Sequence, residues 1–310
     1  MKPVYLINGF LDSGKTSFLT FTLQQDYFKI KGTTLLLLCE EGEEEYDEKM
    51  LKKARTVVEV LEDEEDFKPS KLIELEKKHS AERILIEYNG MWNMKGLKMP
   101  FHWSLEQQIT CINAETFPTY YNNMKSMVAE MVRNSELIIF NRCDNCMDSL
   151  GGYRRNIKAV NAKADVVFEN AQGEIDTIFE EDLPYDLKAD TIELDDNSYG
   201  IWYIDMMDHI ERYEGKKIVF TAMTLVAPQF PKGYFVPGRM IMTCCAEDVS
   251  FLGYVCQYDG ADTLKNRQWI KVTVIPKKEY YADYHGEGPV LHAVSVTPAS
   301  KPAHEVIGIG

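Results

Sequence analysis

The stretch GFLDSGKT at residues 9–16 fits the pattern G-x-x-x-x-G-K-[ST]. The apolar run at residues 4–7 before it is typical of a buried strand, and residues 17–23 after it carry apolar side chains at helical spacing. A strand, a glycine loop and a helix in this order direct backbone N–H groups and a helix N-terminus at a polyphosphate. The stretch therefore predicts a phosphate-binding loop, and a chance match within an ordinary turn is the alternative.

Two side chains of this loop have a chemical role in the prediction. We expect the Lys15 ammonium to reach the outer phosphates and the Thr16 hydroxyl to complete the ligand shell of Mg²⁺. The candidate nucleotide-binding residues of the stretch are Gly9, Asp12, Ser13, Gly14, Lys15, Thr16 and Ser17.

A run of acids follows the second predicted strand, at residues 33–38. Residues 39–47 read CEEGEEEYD, and such a run is compatible with a plain solvated loop. In a phosphate-binding fold, however, the end of a neighbouring strand faces the nucleotide, where carboxylates can hold Mg²⁺ directly or through water. Both interpretations stay open for the run, and Glu40 and Glu43 are the favoured candidates.

A third pattern, RILIEYNG, occupies residues 83–90. An apolar strand that ends in an acid is typical of a Walker B element. Glu87 would then bind the Mg²⁺ shell or position a water molecule. Gly90 would let the backbone approach the γ-phosphate.

The sequence NRCD at residues 141–144 follows another apolar strand, at residues 136–140. It looks like the N-K-x-D motif that reads guanine, with arginine in place of lysine. The Asp144 carboxylate would accept from guanine N1–H and N2–H₂, and Asn141 would contact O6 or N7. The stem of Arg142 can lie along the base.

The seven cysteines do not suggest a disulfide framework, because they are odd in number and scattered. Cys143 and Cys146 form a C-x-x-C pair, for which packing is favoured over a metal site. Cys244 and Cys245 are candidate ligands of a transition metal. Neighbouring strand residues point to opposite faces, so both thiols could bind one metal only at a bulge, and packing is again favoured.

The alternation of apolar strands and helical stretches predicts an α/β fold of the P-loop NTPase type, with a mostly parallel sheet and the nucleotide at the carboxyl ends of its strands. From about residue 195 the pattern changes to strands separated by Pro and Gly turns, after one helix at residues 200–214. This spacing predicts a small antiparallel, OB-like barrel. We expect domains at residues 1–188 and 195–310. The predicted barrel strands are residues 217–226, 239–246, 251–258, 268–276 and 290–297.

The formal net charge of −15 argues against a nucleic-acid partner, since phosphate backbones need clustered Lys and Arg. The N-terminus has no signal pattern, and no apolar run approaches the roughly 20 residues that span a bilayer. We therefore expect a cytoplasmic protein that is not inserted in a membrane.

Residues 1–185 resemble the CobW/HypB/UreG class of P-loop GTPases. The matching stretches are GFLDSGKT, CEEGE at 39–43 where the class has N-[DE]-F-G-E, IEYNG at 86–90 where it has I-E-T-[ST]-G, and NRCD at 141–144. The resemblance implies GTP or GDP and Mg²⁺ as ligands. It also implies GTP hydrolysis coupled to delivery of Zn²⁺ or another transition metal to a receiving protein.

Two departures from this class affect the metal and the turnover. The class carries a C-x-C-C motif before the Walker B strand, whereas residues 51–83 contain no cysteine. Asp12 replaces a usual glycine, which places an acid near phosphate.

Residues 195–310 are similar to the soluble C-terminal domain of YcgQ-type proteins, through GR-x-x-x-x-CC-x-x-D at 238–248. Those proteins are partners of predicted permeases, so this resemblance implies a link to metal homeostasis or to a membrane permease.

The leading hypothesis is a GTPase whose nucleotide state switches the loops at residues 40–46 and 88–94, with Lys15, Glu87 and Glu40 in the catalytic machinery. The first alternative is a catalytically weak GTP-binding adaptor or metal-binding protein. An ATP-using kinase is a further alternative, which the NRCD motif disfavours. A homo-oligomer is compatible with each hypothesis.

Overall fold

The structure is a computed structural model that describes residues 1–40, 42, 45–175, 183–243 and 248–308. The chain divides into two compact units, Met1–Phe179 and Glu180–Gly310, which are called the N-terminal and C-terminal units below.

The N-terminal unit contains one sheet with the strand order β3-β2-β4-β1-β5-β6-β7-β8. All neighbours in it pair in parallel except β7 and β8, which are antiparallel. Its strands are β1 (Lys2–Asn8), β2 (Thr33–Leu38), β3 (Thr56–Val60), β4 (Ala81–Glu87), β5 (Trp103–Asn113), β6 (Leu137–Asn141), β7 (Asp165–Asn170) and β8 (Gly173–Glu174). Its helices are α1 (Lys15–Gln24), α2 (Glu48–Lys53), α3 (Pro69–Lys78), α4 (Phe117–Asn123), α5 (Lys125–Val132) and α6 (Leu150–Val160).

Strands that are buried on both faces explain why the sequence has continuous apolar runs. In β2, Leu35, Leu36 and Leu37 are each fully buried, and β4 is buried at every position except Glu82. This is the pattern of a parallel sheet covered by helices on both sides. The predicted α/β fold with a mostly parallel sheet is confirmed.

The strand order also decides where the site lies. β1 is central, between β4 and β5. The carboxyl ends of β1, β2, β4 and β6 therefore lie along one edge of the sheet, and each of the four sequence patterns includes residues at or directly after one of these ends.

The C-terminal unit is a separate, strand-rich unit, and its described residues form one α-helix, α7 (Tyr199–Asp208), close to the predicted position. Pairings of β10 with β14, β14 with β15, β15 with β13, β13 with β11 and β11 with β10 form a closed cycle. Most pairings are antiparallel, as expected, but those of β9 with β10, β13 with β15 and β11 with β16 are parallel. Its strands are β9 (Thr191–Glu193), β10 (Lys217–Leu225), β11 (Tyr234–Met242), β12 (Val249–Gly253), β13 (Cys256–Gln257), β14 (Trp269–Tyr281), β15 (Gly286–Pro298) and β16 (Val306–Ile307).

One predicted strand, at residues 251–258, is two strands in the structure. β12 and β13 both pair with β11, but with different parts of it, and the chain between them leaves the ladder. Among the described residues, no helix is both long enough and apolar enough to cross a bilayer.

Candidate functional site

The phosphate-loop stretch connects β1 directly to α1. Steric constraints explain why glycine occupies positions 9 and 14 of this stretch. Gly9 has φ +149° and Gly14 has φ +88°, a region that side chains disfavour. A Cβ atom on Gly9 would lie 2.4 Å from the carbonyl oxygen of Cys111, and one on Gly14 would lie 2.5 Å from Nδ2 of Asn141. The loop can therefore take this path only with glycine at both positions.

Asp12 occupies a position where the backbone is left-handed, with φ +57°. This conformation explains why glycine is usual at this position in the class that the sequence resembles. Among the other residues, aspartate is one of those that tolerate it best. Nη1 of Arg142 donates a hydrogen bond to the Asp12 carbonyl at 2.6 Å. The exposed Asp12 side chain lines the same cavity as the phosphate loop.

The ammonium of Lys15 is buried and fully engaged. Nζ donates to the carbonyl oxygens of Gly9 at 3.0 Å and Phe10 at 2.9 Å, and it forms an ion pair with Oε2 of Glu40 at 2.8 Å. The structure thus places Glu40 on the lysine that was expected to bind phosphate. A phosphate oxygen at Lys15 would compete with these three acceptors, of which the Glu40 carboxylate carries a negative charge.

Glu87, at the end of β4, is 3% exposed. Each of its carboxylate oxygens accepts a hydrogen bond from a side-chain hydroxyl. Oγ1 of Thr16 donates to Oε1 at 2.7 Å, and the hydroxyl of Tyr46 donates to Oε2. Burial raises the pKa of Glu87, although the two hydrogen bonds and the charge of Lys15 act in the opposite direction. Burial, together with the charge of Glu87, also raises the pKa of Tyr46 well above its ordinary value, so its hydroxyl keeps its proton. Thr16 and Glu87 together form the oxygen donor set that suits Mg²⁺.

Gly90, which the sequence predicts to let the backbone approach the γ-phosphate, lies against the phosphate loop. Its N–H donates to the carbonyl of Gly9 at 3.1 Å, and a Cβ atom on it would lie only 2.5 Å from that oxygen. The segment after β4 is thereby attached to the loop that would hold the phosphates.

The NRCD stretch at the end of β6 is also attached to this loop. Nδ2 of Asn141 donates to the Ser13 carbonyl at 2.7 Å. The exposed Asp144 carboxylate accepts from the backbone N–H of Ala171 at 3.3 and 3.4 Å. Ala171 directly follows β7. The Asp144 carboxylate and the N–H of Ala171 are therefore adjacent, near the carboxyl ends of the neighbouring strands β6 and β7.

A cavity of about 230 Å³ collects most of the predicted phosphate and Mg²⁺ residues. Gly90 and Asn141 border the loop from outside it, Asp144 lies further along with Ala171, and Ser17 is exposed on the first turn of α1. Glu43, Cys244 and Cys245 lie outside the described residues. The cavity is lined by Leu11, Asp12, Ser13, Gly14, Lys15, Thr16, Glu40, Gly42, Glu87 and Arg142.

Two residues contact the predicted site residues but are not among the candidates that the sequence singles out. Tyr46 lies in the acidic run, where neighbouring charges conceal a single aromatic side chain. Ala171 contributes a backbone N–H, for which the sequence gives no side-chain signal beyond the turn after β7.

Four of the five described cysteines, Cys39, Cys111, Cys143 and Cys256, are buried, and Cys146 is partly exposed. Burial raises the pKa of Cys111 to about 12 and that of Cys143 to about 11. Cys143 packs in an apolar cluster beneath β6 and β7, and the N–H of Cys146 donates to its carbonyl. Among the described residues, no group of three or more His, Cys, Asp and Glu side chains could hold a metal ion.

A central parallel strand, a glycine-shaped loop with a buried lysine and a Thr–Glu pair that joins this loop to the neighbouring strand define a P-loop nucleotide-binding protein. Residues 3–168 match the nucleotide-binding domain of the CobW/HypB/UreG family, which is more than half of the chain. The chain belongs to this family, whose members are P-loop GTPases. Residues 170–307 match the DUF1980 C-terminal domain. Both resemblances drawn from the sequence are confirmed at this level.

Several solved structures are similar to the chain. The Zn(II)-bound YjiA GTPase from E. coli is 18% identical over 56% of this chain and 59% of its own, with a TM-score of 0.41, so this chain spans less than two thirds of its length. HypB, the hydrogenase maturation factor from Archaeoglobus fulgidus, is 14% identical over 55% of this chain and 82% of its own, with a TM-score of 0.40. HypB from Helicobacter pylori in complex with nickel is 13% identical over 55% of this chain and 80% of its own, with a TM-score of 0.34. No curated protein matches the chain. The family assignment therefore depends on the family match and on the geometry of the motifs.

Proposed function

We propose that this protein is a Mg²⁺-dependent GTPase whose nucleotide state switches the segments at residues 40–46 and 88–94. The observation that carries the proposal is the convergence of Lys15, Thr16, Glu40 and Glu87 on one cavity beside a glycine-shaped loop. Family membership supports guanine nucleotides as the ligands.

Transfer of a phosphoryl group to water needs positioning and charge neutralisation more than covalent help. Lys15 would exchange its carboxylate partner for phosphate oxygens, and the amides of the loop and of the first turn of α1 would hold the remaining oxygens. Thr16 and Glu87, joined by Glu40 once it has left Lys15, would hold Mg²⁺ and orient the attacking water. Bound Mg²⁺ supplies charge neutralisation on the phosphate oxygens.

The base would be selected at the ends of β6 and β7. Guanine presents two donors, N1–H and N2–H₂, beside one acceptor, O6. The Asp144 carboxylate matches the donors, and the N–H of Ala171, which donates to Asp144 in the structure, would turn to the acceptor once that carboxylate binds guanine. Adenine has an acceptor at N1, an amino donor at C6 and no amino group at C2, so we propose that the site prefers GTP to ATP.

The metal cargo and the partner are proposed from family membership. We propose that a transition metal such as Zn²⁺ is the cargo, that a metal-receiving protein or a permease is the partner, and that the protein acts in the cytoplasm. Cys244 and Cys245 are the candidate ligands in this proposal.

An adaptor that binds GTP and hardly hydrolyses it is the second candidate function. Two observations favour it: the interval 51–83 has no cysteine, and the phosphate-binding lysine is already paired with Glu40.

Phosphate release from GTP tests the first candidate against the second. Wild type is expected to release phosphate, Lys15→Ala is expected to release none, and Lys163→Ala, which removes an exposed lysine, should behave as wild type. Equal release from wild type and Lys15→Ala would remove the GTPase proposal, and tight GTP binding without release would select the adaptor. Displacement of labelled GTP by ATP and GTP at equal efficiency would contradict the guanine assignment.

A further inference from the structure

The second carboxylate oxygen of Glu87 accepts a hydrogen bond from Tyr46, which lies in the acidic run at residues 39–47 and has no role in the predictions made from the sequence. Its hydroxyl donates to Oε2, whereas Thr16 donates to Oε1. Each carboxylate oxygen of a buried acid therefore has a hydroxyl donor of its own. The two donors come from different elements, one from α1 and one from the segment before α2.

The ring of Tyr46 is fixed independently of this hydrogen bond. It packs against the apolar cluster that contains Leu19, Leu36 and Leu85, beneath the central strands. The next residue, Asp47, caps α2 by accepting from the N–H of Met50 at 2.7 Å. Packing on one side and a capped helix on the other leave the hydroxyl little freedom, so Tyr46 can determine where the Glu87 carboxylate points.

We propose that Tyr46 is a positioning residue of the nucleotide site, which orients Glu87 so that its first oxygen faces Thr16 and the site for Mg²⁺. This inference rests on the proposed role of Glu87. The hydroxyl of Thr16 is itself an Mg²⁺ ligand in the proposed mechanism, so its contact with Glu87 changes when nucleotide binds. The Tyr46 contact lies on the opposite carboxylate oxygen and can persist in both states.

The variant Tyr46→Phe isolates this role, because phenylalanine keeps the packed ring and removes only the hydroxyl. Partners of metal-site carboxylates typically contribute 10- to 100-fold to metal affinity or activity. We expect Tyr46→Phe to lower kcat for GTP hydrolysis by about tenfold and to raise the half-saturating Mg²⁺ concentration by a similar factor. The KM for GTP and the affinity for GDP in EDTA should stay as in wild type. Tyr27→Phe, which alters an exposed tyrosine of the same unit, is the matched control.

A second variant separates a positioning role from a general structural one. In a Glu87→Gln background, Tyr46→Phe should have no further effect on the Mg²⁺ dependence of GDP binding, because the group that it orients is no longer an acid. Additive effects of the two substitutions would overturn the proposal. A Tyr46→Phe protein with wild-type kcat and Mg²⁺ response would overturn it too, as would one with stronger Mg²⁺ binding.

The Mg²⁺ dependence of GDP binding also separates this proposal from the proposed function. If wild type binds GDP with Mg²⁺ and releases no phosphate from GTP, the GTPase proposal fails, while the Mg²⁺ response of Tyr46→Phe still decides the role of Tyr46. If wild type binds no guanine nucleotide, both proposals fail.

Discussion

The ion pair between Lys15 and Glu40 leads to a prediction about how tightly the protein binds GDP in the absence of Mg²⁺. The two groups are 2.8 Å apart, and their side chains are only 3% and 12% exposed, so water screens the attraction weakly. A phosphate oxygen that approaches Lys15 competes with this carboxylate for the ammonium and also meets its negative charge. Replacing Glu40 with glutamine removes the charge and keeps a hydrogen-bond acceptor of the same length.

The size of the effect follows from the contact that is weakened. A hydrogen bond to a charged group contributes about 1.5–3 kcal/mol, and the glutamine amide oxygen retains part of it. We therefore expect Glu40→Gln to remove about 1–2 kcal/mol of stabilisation from the nucleotide-free state. Nucleotide binding to the variant then no longer has to overcome this stabilisation. Glu40→Gln should bind GDP in EDTA about 5- to 30-fold more tightly than wild type.

Mg²⁺ should have the opposite consequence in this variant. In the proposed mechanism Glu40 leaves Lys15 and joins the Mg²⁺ shell, and an amide is a weaker ligand for this ion than a carboxylate. The ratio of GDP affinities with and without Mg²⁺ should thus be smaller in Glu40→Gln than in wild type. Isothermal titration calorimetry with GDP, in EDTA and in Mg²⁺, measures both quantities.

Glu45→Gln is the matched control, because it removes one exposed charge from the same segment without a contact to Lys15 among the described hydrogen bonds and ion pairs. If Glu40→Gln binds GDP in EDTA no more tightly than wild type, the ion pair does not hold the empty site closed. If Glu45→Gln gives the same increase, the effect is one of net charge and the reasoning from the contact is refuted.

Three further substitutions test other parts of the site and its support. Asp144→Asn replaces the acceptor for two guanine donors with an amide; GTP affinity should fall by about 100-fold and XTP, which carries an oxygen at C2, should compete better than GTP. Gly90→Ala places a methyl group 2.5 Å from the carbonyl of Gly9, so GDP affinity should fall by about tenfold as the loop shifts, at a cost of about 1–3 kcal/mol in stability. Glu76→Gln tests a buried acid. Burial alone raises the pKa of Glu76, but hydrogen bonds from Lys2, Trp103 and His102 outweigh this effect and lower the pKa. The stabilisation is complete above the unfolded glutamate pKa of about 4.3 and is lost as the pH falls through the lower folded pKa. Urea unfolding should show Glu76→Gln less stable than wild type by about 2 kcal/mol at neutral pH, and the difference should shrink in acid.

The parts of the site that the sequence predicts are those in which the local backbone requires a particular residue. Gly9 and Gly14 have backbone angles that favour glycine, and Glu87 ends a strand that is buried on both faces. Such requirements leave a local pattern of residue types. The parallel sheet follows from the same kind of evidence, because continuous apolar runs occur where both faces of a strand are covered.

The partners of the charged side chains could not be predicted in this way. The sequence predicts Glu40 as a ligand of Mg²⁺ and gives no sign of its contact with Lys15, whose buried ammonium lies 2.8 Å from the Glu40 carboxylate. Tyr46 lies near the end of the acidic run, far along the chain from Glu87, and contacts it only because β2 and β4 are neighbours. Contacts that depend on strand order have no signature at short sequence separation.

The segment at residues 40–46 therefore contacts both charged groups of the site. Glu40 neutralises Lys15, and Tyr46 orients Glu87, so the phosphate end and the metal end of the cavity share one short piece of chain. Phosphate binding at Lys15 would release Glu40 towards the metal, and metal binding would in turn remove the competitor of the phosphate. Thermodynamic linkage requires the two effects to be equal: the factor by which Mg²⁺ tightens GDP binding is the factor by which GDP tightens Mg²⁺ binding. A coupling of this kind needs no contact outside the N-terminal unit, because Lys15, Glu40, Tyr46 and Glu87 all lie within it.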